Sequence, residues 1–261
     1  MNFDVVKEKI TSSHLNMEFF HVPWDSEIFN RNVAQISKFE IKNSKELIKD
    51  FSFYQKWCAQ KKIDFSSCRL LHSQMNEGFF LETQGFRFIE LNYQPVLNNL
   101  EKFDFQVSSI DISLAESSDQ ETLANVAETL FNNERFHQDP QIETNLAHKR
   151  YRIWLENAFK QNHQTVLKCI LNQEIVAFFV VEYPEPNHCF WSLVGMLPKY
   201  QGKGLGKIVW QAMLKYHQEE LIKKVSTSIS SHNVAVFNLY VALGFRFPEP
   251  YTTFHWTKNN I

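Results

Sequence analysis

The stretch Gln201-Gly202-Lys203-Gly204-Leu205-Gly206 holds three of the seven glycines of this 261-residue chain. A strand pattern precedes it and a helix pattern follows it, so the glycines lie at a strand-to-helix junction. Glycine lets backbone N–H groups turn outward together and lets a ligand approach without meeting Cβ atoms. The free N–H groups at the start of a helix also attract anions. The stretch therefore predicts a pyrophosphate cradle, to which Lys203 and Lys207 add positive charge.

The spacing of these glycines excludes two other phosphate-binding motifs. A P-loop requires GxxxxGK[ST], which the chain lacks. A dinucleotide-binding loop requires GxGxxG after the first strand of a βαβ unit, whereas these glycines are spaced GxGxG and occur late in the chain. A tight turn without a ligand is the remaining alternative, and residues further along the chain argue against it.

Hydrophobic periodicity predicts strands and helices in mixed order on both sides of the loop. In the N-terminal third we expect strands at 32–39, 65–71 and 86–96, and helices at 44–62, with Ser44 as N-cap, and 74–84. Further on we expect strands at 107–114, 165–171, 175–183, 189–196, 224–230 and 254–257. The helices expected there are one capped by Ser118 or Asp119 and running to 131, and others at 143–160, 207–220 and 233–243. The pattern predicts an α+β fold, with a hairpin at Asn172-Gln173 and a polar loop at 132–141.

A polar stretch at 98–102, following Pro95, marks the expected domain boundary. We therefore predict a small α/β domain at residues 1–104 and a second domain at residues 105–261.

Charge and composition narrow the classes of function. The 27 basic and 29 acidic residues give a net charge of −2, which argues against non-specific nucleic-acid binding. We expect no membrane span, because no long apolar run occurs, and no secretory leader, so the expected location is the cytoplasm. The four cysteines have no CxxC or CxxH spacing, so we expect no metal site.

Two motifs identify a resemblance to the GNAT N-acyltransferase superfamily. Gln201, Gly204 and Gly206 resemble the loop with which that superfamily holds the pyrophosphate of acyl-CoA. The pattern N-x-A-x-x-x-x-Y-x-x-x-G-F follows, beginning at Asn233 and with its tyrosine at Tyr240. The resemblance implies a central mixed, mostly antiparallel sheet flanked by helices, here preceded by the smaller α/β domain. It also implies a bulge in the strand before the loop, within residues 193–196.

Four further stretches resemble TDP-fucosamine (TDP-4-amino-4,6-dideoxygalactose) acetyltransferases, in the same order along the chain. They are Trp24-Asp25-Ser26-Glu27-Ile28-Phe29, the Gln84-Gly85-Phe86-Arg87-Phe88 segment, residues 134–140, and the helix bearing Tyr151, Trp154, Glu156 and Asn157. This resemblance implies acetyl transfer from acetyl-CoA to the amine of a nucleotide-linked amino sugar. It also leads us to expect a homodimer.

The resemblance implies a role for each residue near the cofactor. Backbone groups around Leu193, Val194 and Met196 would meet the thioester, and Asn233 and Phe237 would lie along the pantetheine arm. Residues 201–207 would hold the pyrophosphate. Tyr240 would act as general acid toward the leaving thiolate, on the same helix face as Asn233; a tyrosine buried in the core is the alternative.

The general base and the acceptor site are less sharply defined. Glu182, near the end of a strand, is the leading candidate for the base, with His188 and His232 as alternatives. For the acceptor, Arg135 could grip a phosphate and Phe136 could stack on a sugar or base, with His137 beside them. An exposed loop with a surface ion pair is the alternative there.

Two other functions stay open at this stage. The same cofactor site could serve a different amine, such as an amino acid, polyamine, antibiotic or protein. A catalytically silent CoA-binding protein is the third hypothesis, against which the intact glycines, Asn233 and Tyr240 argue.

Overall fold

Two mixed β-sheets flanked by helices form the fold, as predicted. The computed structural model describes residues 5–43, 45–106 and 109–258. The strands are β1 (Glu8–Thr11), β2 (Leu15–His21), β3 (Val33–Ile41), β4 (Phe65–Leu71), β5 (Arg87–Tyr93), β6 (Val96–Asn98), β7 (Asp111–Leu114), β8 (Gln164–Leu171), β9 (Glu174–Glu185), β10 (His188–Met196), β11 (Lys224–Thr227), β12 (Ile229–Ser230) and β13 (Tyr251–Thr257). The helices are α1 (Pro23–Phe29), α2 (Leu47–Gln60), α3 (Met75–Thr83), α4 (Gln120–Leu130), α5 (Arg135–Gln138), α6 (Thr144–Ala158), α7 (Leu205–Glu219) and α8 (Val234–Ala242).

The chain divides into two compact units that are not simple halves of the sequence. Unit 1 consists of the residues up to Asn92, Arg135–Leu146 and the residues from Glu249 onward; unit 2 consists of Tyr93–Glu134 and Ala147–Pro248. This division differs from the predicted boundary at 104/105. The reason is that strands distant in sequence pair with each other. β13 pairs with β4 and β5 in unit 1, and β6 pairs with β11 in unit 2.

Unit 1 packs α2 against a sheet with the strand order β1-β2-β3-β4-β13-β5. Only β3 and β4 are parallel to each other; the other neighbours in this order are antiparallel. α2 buries Leu47, Phe51, Tyr54 and Cys58, which lie three or four residues apart and so share one face. The Tyr54 hydroxyl is 2.6 Å from Ser66 Oγ, which satisfies both buried hydroxyls.

Unit 2 has a sheet with the order β6-β11-β10-β9-β8-β7 and a core on each face. Only β10 and β11 are parallel. Alternate residues of β9 serve the two cores: Phe179 and Val181 pack toward α7 and α8, whereas Phe178 and Val180 pack toward α4 and α6. Because both faces are covered, the strand reads as an almost continuous apolar run.

The parallel strand pair has the same plan in the two units. Each pair is held by four residue pairs, from Val33↔Phe65 to Ile36↔Cys68 in unit 1 and from His188↔Lys224 to Trp191↔Thr227 in unit 2. In both units the first strand then has an extra serine relative to its antiparallel neighbour, Ser37 in β3 and Ser192 in β10. A long helix, α2 or α7, connects each pair. The two units therefore repeat one βαβ arrangement.

Several predicted elements are confirmed, and others need correction. β8 and β9 form the predicted hairpin, with Asn172 and Gln173 at φ 51° and 67°. The predicted strand 86–96 ends at Tyr93, because proline cannot donate to a sheet, and the predicted strand 224–230 is the two short strands β11 and β12. The predicted loop 132–141 contains α5, and α7 begins two residues earlier than expected.

Some predictions fall partly outside the described residues. Ser44 lies there, and α2 begins at Leu47 with Glu46 as its N-cap residue. Residues 107 and 108 of the predicted strand 107–114 lie there too. In the described part of the chain, no helix is long and apolar enough to cross a membrane.

Candidate active site

The parallel strands β10 and β11 of unit 2 separate part of the way along β10. Their last pair is Trp191↔Thr227, where the Thr227 hydroxyl donates to the Trp191 carbonyl at 2.9 Å. β11 ends at Thr227, whereas β10 continues to Met196 beside β9. Within the described strands, the edge of β10 that faces away from β9 is therefore unpaired after Trp191.

Backbone groups of Val194 and Met196 point into the resulting gap. The Leu197 N–H donates to the Val176 carbonyl at 2.9 Å, on the β9 side. Because successive residues of a strand direct their backbone groups to opposite edges, Val194 and Met196 direct theirs away from β9. The Met196 carbonyl accepts from Gln201 Nε2 at 2.8 Å. The N–H and C=O of Val194 and the N–H of Met196 therefore face the gap.

The bulge in β10 lies at Ser192, one residue before the predicted stretch 193–196. Trp191 pairs with Val181 and Leu193 with Val180, so Ser192 is the extra residue, and its hydroxyl donates to the Val180 carbonyl at 3.2 Å. The bulge reverses the alternation of side chains. Trp191 consequently packs toward α7 and α8, whereas Leu193 packs toward α4 and α6.

The glycine loop provides open backbone at the start of α7. Gly202 and Gly204 have φ of 70° and 74°, which favours glycine, and a Cβ at either would meet no atom of the described residues within 4 Å. Gly204 is the N-cap residue of α7, and no side chain in the described part of the chain caps this helix. The first amides of α7 are thus available to an anion. Gly206 is already helical, and a Cβ there would lie 3.7 Å from Leu239.

The lysines around this loop differ in their surroundings. Lys199 Nζ lies 2.9 and 2.6 Å from the two carboxylate oxygens of Glu174, which also accepts from the Tyr200 hydroxyl. Lys203 and Lys207, the two predicted to assist the cradle, are exposed at the loop and in the first turn of α7. Their charge supports an anion there.

Asn233 and Tyr240 lie seven residues apart, at the N-cap and within α8, a spacing that corresponds to about two helical turns. Asn233 is the N-cap residue, and its Oδ1 accepts from the Val236 N–H at 3.3 Å. Tyr240 is 1% exposed. Burial raises the pKa of its phenol to about 12, partly offset by the side chains of Trp210 and Thr227 beside it. Its hydroxyl is therefore protonated at neutral pH and lies beside the last residue of β11.

Phe237, between these two residues, packs into an aromatic group. Its ring centroid is 5.3 Å from that of Tyr93 and 4.4 Å from that of Phe247. Phe237 is half-buried, so part of the ring remains accessible.

The Glu182 side chain lies on the sheet face opposite to Tyr240, and a residue of the neighbouring strand β8 binds it. Its Oε1 accepts from Gln164 Nε2 at 2.7 Å, which fixes the carboxylate on β9. By alternation with Val180, Glu182 points to the α4 and α6 face, whereas Tyr240 packs on the opposite face. The two histidine alternatives differ: His188 Nε2 is 2.7 Å from Ser226 Oγ, whereas His232 is exposed. Burial and the nearby Lys224 lower the pKa of His188.

The residues predicted for the acceptor lie in α5, which belongs to unit 1. Phe136 is 1% exposed, and its ring centroid lies 5.0 Å from that of Phe29 and 5.8 Å from that of His255. Its side chain is thus part of the core rather than an open stacking surface. Arg135 lies over Phe136, with 4.3 Å from guanidinium carbon to ring centroid, and Arg135 and His137 are half-buried.

A buried carboxylate that the sequence did not reveal, Asp139, anchors this segment through three hydrogen bonds. Asp139 accepts from His255 Nδ1 at 2.8 Å, from Arg87 Nη2 at 3.2 Å and from the Gln141 N–H at 3.0 Å. Burial opposes ionisation of Asp139, yet these three donors keep its pKa below the usual range. Burial lowers the pKa of His255 to about 4 despite its carboxylate partner, so a neutral histidine donates to a carboxylate.

A second buried histidine lies beside the last parallel pair of unit 2. His217 of α7 is 0% exposed, and its Nε2 accepts from Trp191 Nε1 at 3.0 Å. Burial lowers its pKa to about 4. Its position on the apolar face of α7 gave no sequence signal for this hydrogen bond.

Acidification should destabilise the protein through His217. Between pH 7 and 5 the unfolded chain gains a proton that folded His217 excludes, so the free energy of unfolding should fall by about 2 kcal/mol from this group alone. Urea unfolding at several pH values measures the slope. H217Q, whose amide oxygen can still accept from Trp191, should show a shallower slope, and exposed H163Q should keep the wild-type slope. Equal slopes in all three proteins would contradict the assignment.

Among the described residues, no group of three or more His, Cys, Asp and Glu side chains could hold a metal ion. The four cysteines are buried and unbridged.

Part of the chain is similar to a known protein family. Residues 129–245 match the model of the acetyltransferase (GNAT) family. No curated protein matches the chain.

Solved structures show the same fold over most of the chain. A functionally unknown conserved protein from Staphylococcus epidermidis is 13% identical, with a TM-score of 0.65 over 97% of this chain and 95% of that one. A GCN5-related N-acetyltransferase from Sphaerobacter thermophilus is 10% identical, with a TM-score of 0.67 over 94% and 78%. A tandem GNAT protein from the clavulanic acid biosynthesis pathway is 10% identical, with a TM-score of 0.62 over 95% and 80%. The solved structures thus show the fold, and the family model supports a likeness to the GNAT acetyltransferase superfamily over residues 129–245.

Proposed function

We propose that the protein is an N-acetyltransferase that uses acetyl-CoA. The observation that carries this proposal is the gap between β10 and β11, open beside the uncapped glycine loop at the start of α7. A thioester with a long polar arm and a pyrophosphate matches these two neighbouring features in chemistry.

Each part of acetyl-CoA has a complementary partner in unit 2. The amides of residues 201–207, with Lys203 and Lys207, would hold the pyrophosphate. The backbone of Val194 and Met196 would bind the amides of the pantetheine arm, with Leu193, Asn233 and Phe237 alongside. The Asn233 oxygen caps α8, so its amide nitrogen is the atom that would donate to the arm.

The reaction proposed is direct attack of an amine on the thioester carbon. A C–N bond forms and the C–S bond breaks, so one proton must leave the amine and the thiolate must receive one. Glu182 is the proposed base, acting directly or through water, with His188 and His232 as alternatives. Tyr240, protonated at neutral pH, would give its proton to the thiolate. Backbone N–H groups of β10 would stabilise the oxyanion.

For the acceptor we propose the amine of a nucleotide-linked amino sugar of the TDP-4-amino-4,6-dideoxyhexose type. The support is the sequence resemblance, in which Arg135 and His137 match the substrate-side segment. The buried ring of Phe136 leaves the phosphate contact to Arg135 in this proposal. We also propose a homodimer, which the resemblance suggests, and a cytoplasmic location.

Thiol release from acetyl-CoA tests donor and acceptor together. Release with TDP-4-amino-4,6-dideoxy sugars, and none with amino acids or polyamines, is the expected result. R135A should then raise the KM for the sugar nucleotide roughly tenfold or more with little change in kcat, and R135K should lie between. Release only with another amine would overturn the proposed acceptor but support the acetyltransferase activity. Acetyl-CoA binding without turnover of any acceptor would favour a silent CoA-binding protein.

A further inference from the structure

Unit 1 has a gap between its parallel strands β3 and β4 like the one between β10 and β11 in unit 2. In unit 1, however, side chains of the same unit occupy the gap. We infer that Gln74 and Glu77 take the place of a pantetheine arm in unit 1, so that the protein holds one acyl-CoA molecule and not two. The statement about acyl-CoA rests on the proposed function; the occupation of the gap rests on unit 1 alone.

The shared parallel register aligns the two gaps residue by residue. Ile36 and Trp191 are the last residues of the parallel pairing, and a bulged serine follows each. Counting on from the serines, Phe39 corresponds to Val194 and Ile41 to Met196.

The direction of the backbone is also the same. In unit 1 the Lys42 N–H donates to the His14 carbonyl at 2.8 Å, on the β2 side. This bond corresponds to the one that Leu197 donates to Val176 in unit 2. Phe39 and Ile41 therefore direct their backbone groups away from β2, into the gap beyond the paired part of β4.

Two side chains of the α3 segment bind this edge. Gln74 Nε2 donates to the Phe39 carbonyl at 3.0 Å, and Glu77 Oε1 accepts from the Ile41 N–H at 3.1 Å. One N–H donor and one oxygen acceptor are what an amide of a pantetheine arm would offer. Two of the three groups that face an open gap in unit 2, the Val194 carbonyl and the Met196 N–H, thus have counterparts in unit 1 that bind internal partners.

The two gaps differ because the helices α3 and α8 begin with different N-cap residues. α3 follows the second parallel strand of unit 1 as α8 follows that of unit 2, so the N-cap residues Gln74 and Asn233 correspond. Asn233 turns back to cap its own helix. Gln74 is one methylene longer and makes no capping bond, and it reaches across to β3.

The anion end of the unit 1 gap is altered as well. Glu46, at φ 54°, is the N-cap residue of α2, where unit 2 has Gly204 at φ 74°. Asp50, in the first turn, is 9% exposed and accepts from the Ser12 hydroxyl at 2.6 Å, and Lys49 pairs with Glu46 at 3.1 Å. Carboxylates already compensate the positive helix end here, and they would repel a pyrophosphate.

Amide exchange tests the occupation of the gap without any ligand. In Q74A/E77A, exchange at the Ile41 amide should become about tenfold faster or more, because its charged acceptor is lost. E77A alone, which keeps Gln74 in place, should show the same change at Ile41. N76A/E82A, with two exposed positions on α3, is the matched control and should exchange like wild type. Unchanged Ile41 exchange in both Glu77 variants would overturn the inference.

Calorimetry with acetyl-CoA tests the stoichiometry. We expect one molecule per wild-type chain, with slower exchange at the Val194 and Met196 amides and no change at Phe39 and Ile41. G204D should abolish this binding entirely. Two molecules per chain, or half of the binding retained in G204D, would overturn the inference. If wild type binds no acetyl-CoA, the proposed function fails, and the Ile41 exchange alone decides whether the gap is occupied.

Discussion

Replacing Tyr240 by phenylalanine should lower kcat by a factor of about 100 or more while leaving the affinity for acetyl-CoA within about twofold. The change removes one oxygen from a buried side chain whose ring stays packed against Phe245 at 4.8 Å between centroids. Fold and donor binding should therefore persist. The missing atom is the proposed proton donor, which lies beside Thr227 at the end of the parallel pairing. Steady-state thiol release and calorimetry, measured on the same preparation, separate the two effects.

Y183F is the matched control for this substitution. Tyr183 is also in unit 2, but it is 46% exposed, and no step of the proposed reaction uses its hydroxyl. It should keep kcat within about twofold. A Y240F enzyme with full kcat would remove Tyr240 from the mechanism and leave it as a core residue. Loss of acetyl-CoA binding in Y240F would mean that the Tyr240 hydroxyl is needed to maintain the structure of the binding site rather than to transfer a proton.

The glycine loop and the helix of Tyr240 could be predicted from sequence because their signals are local. Gly202 and Gly204 have the left-handed backbone that only glycine adopts without strain, so the residue type itself indicates the conformation. Asn233 and Gly244 similarly mark the start and end of α8 through a cap and a positive φ of 86°.

Features that depend on distant pairing gave no such signal. β13 lies between β4 and β5, far away in sequence, so no local pattern could assign it to unit 1. The burial of Phe136 depends on Phe29 and His255, each more than a hundred residues away. The bulge at Ser192 depends on the register against β9, and the sequence marked only the glycine that follows it.

The sequence did not reveal the repetition of the βαβ plan in unit 1, because unit 1 lacks the glycines that mark the plan in unit 2. Glu46 adopts the left-handed N-cap conformation that glycine adopts in unit 2, at a cost to a residue with a Cβ. A search for glycines therefore finds the loop of unit 2 only, although α2 of unit 1 begins with the same left-handed N-cap conformation. Gln74 at the N-cap of α3 differs by one methylene from Asn233 at the N-cap of α8. This small difference lets Gln74 reach β3 and occupy the gap of unit 1.

The second large effect is expected from adding a single methyl group to β10. In G195A, the new Cβ would overlap Leu130 Cδ2 and lie 2.8 and 2.9 Å from two ring carbons of Phe178. Phe178 is the cross-strand partner of Gly195 and is fully buried, so its ring has no free space to enter. We expect a loss of about 3 kcal/mol in the free energy of unfolding. Urea unfolding followed by tryptophan fluorescence measures it.

A double-mutant cycle identifies the clash as the cause. Adding L130A removes the nearest atom, so G195A/L130A should be more stable than the sum of the single changes predicts, by about 1 kcal/mol or more. G206A is the matched control, because its Cβ would make only a 3.7 Å contact with Leu239 in a helical backbone, and it should unfold within about 1 kcal/mol of wild type. Strict additivity in the cycle would mean that the cost of G195A arises elsewhere. A favourable coupling would show that Leu130 of α4 packs directly on the backbone of β10 at Gly195, in the strand that borders the gap.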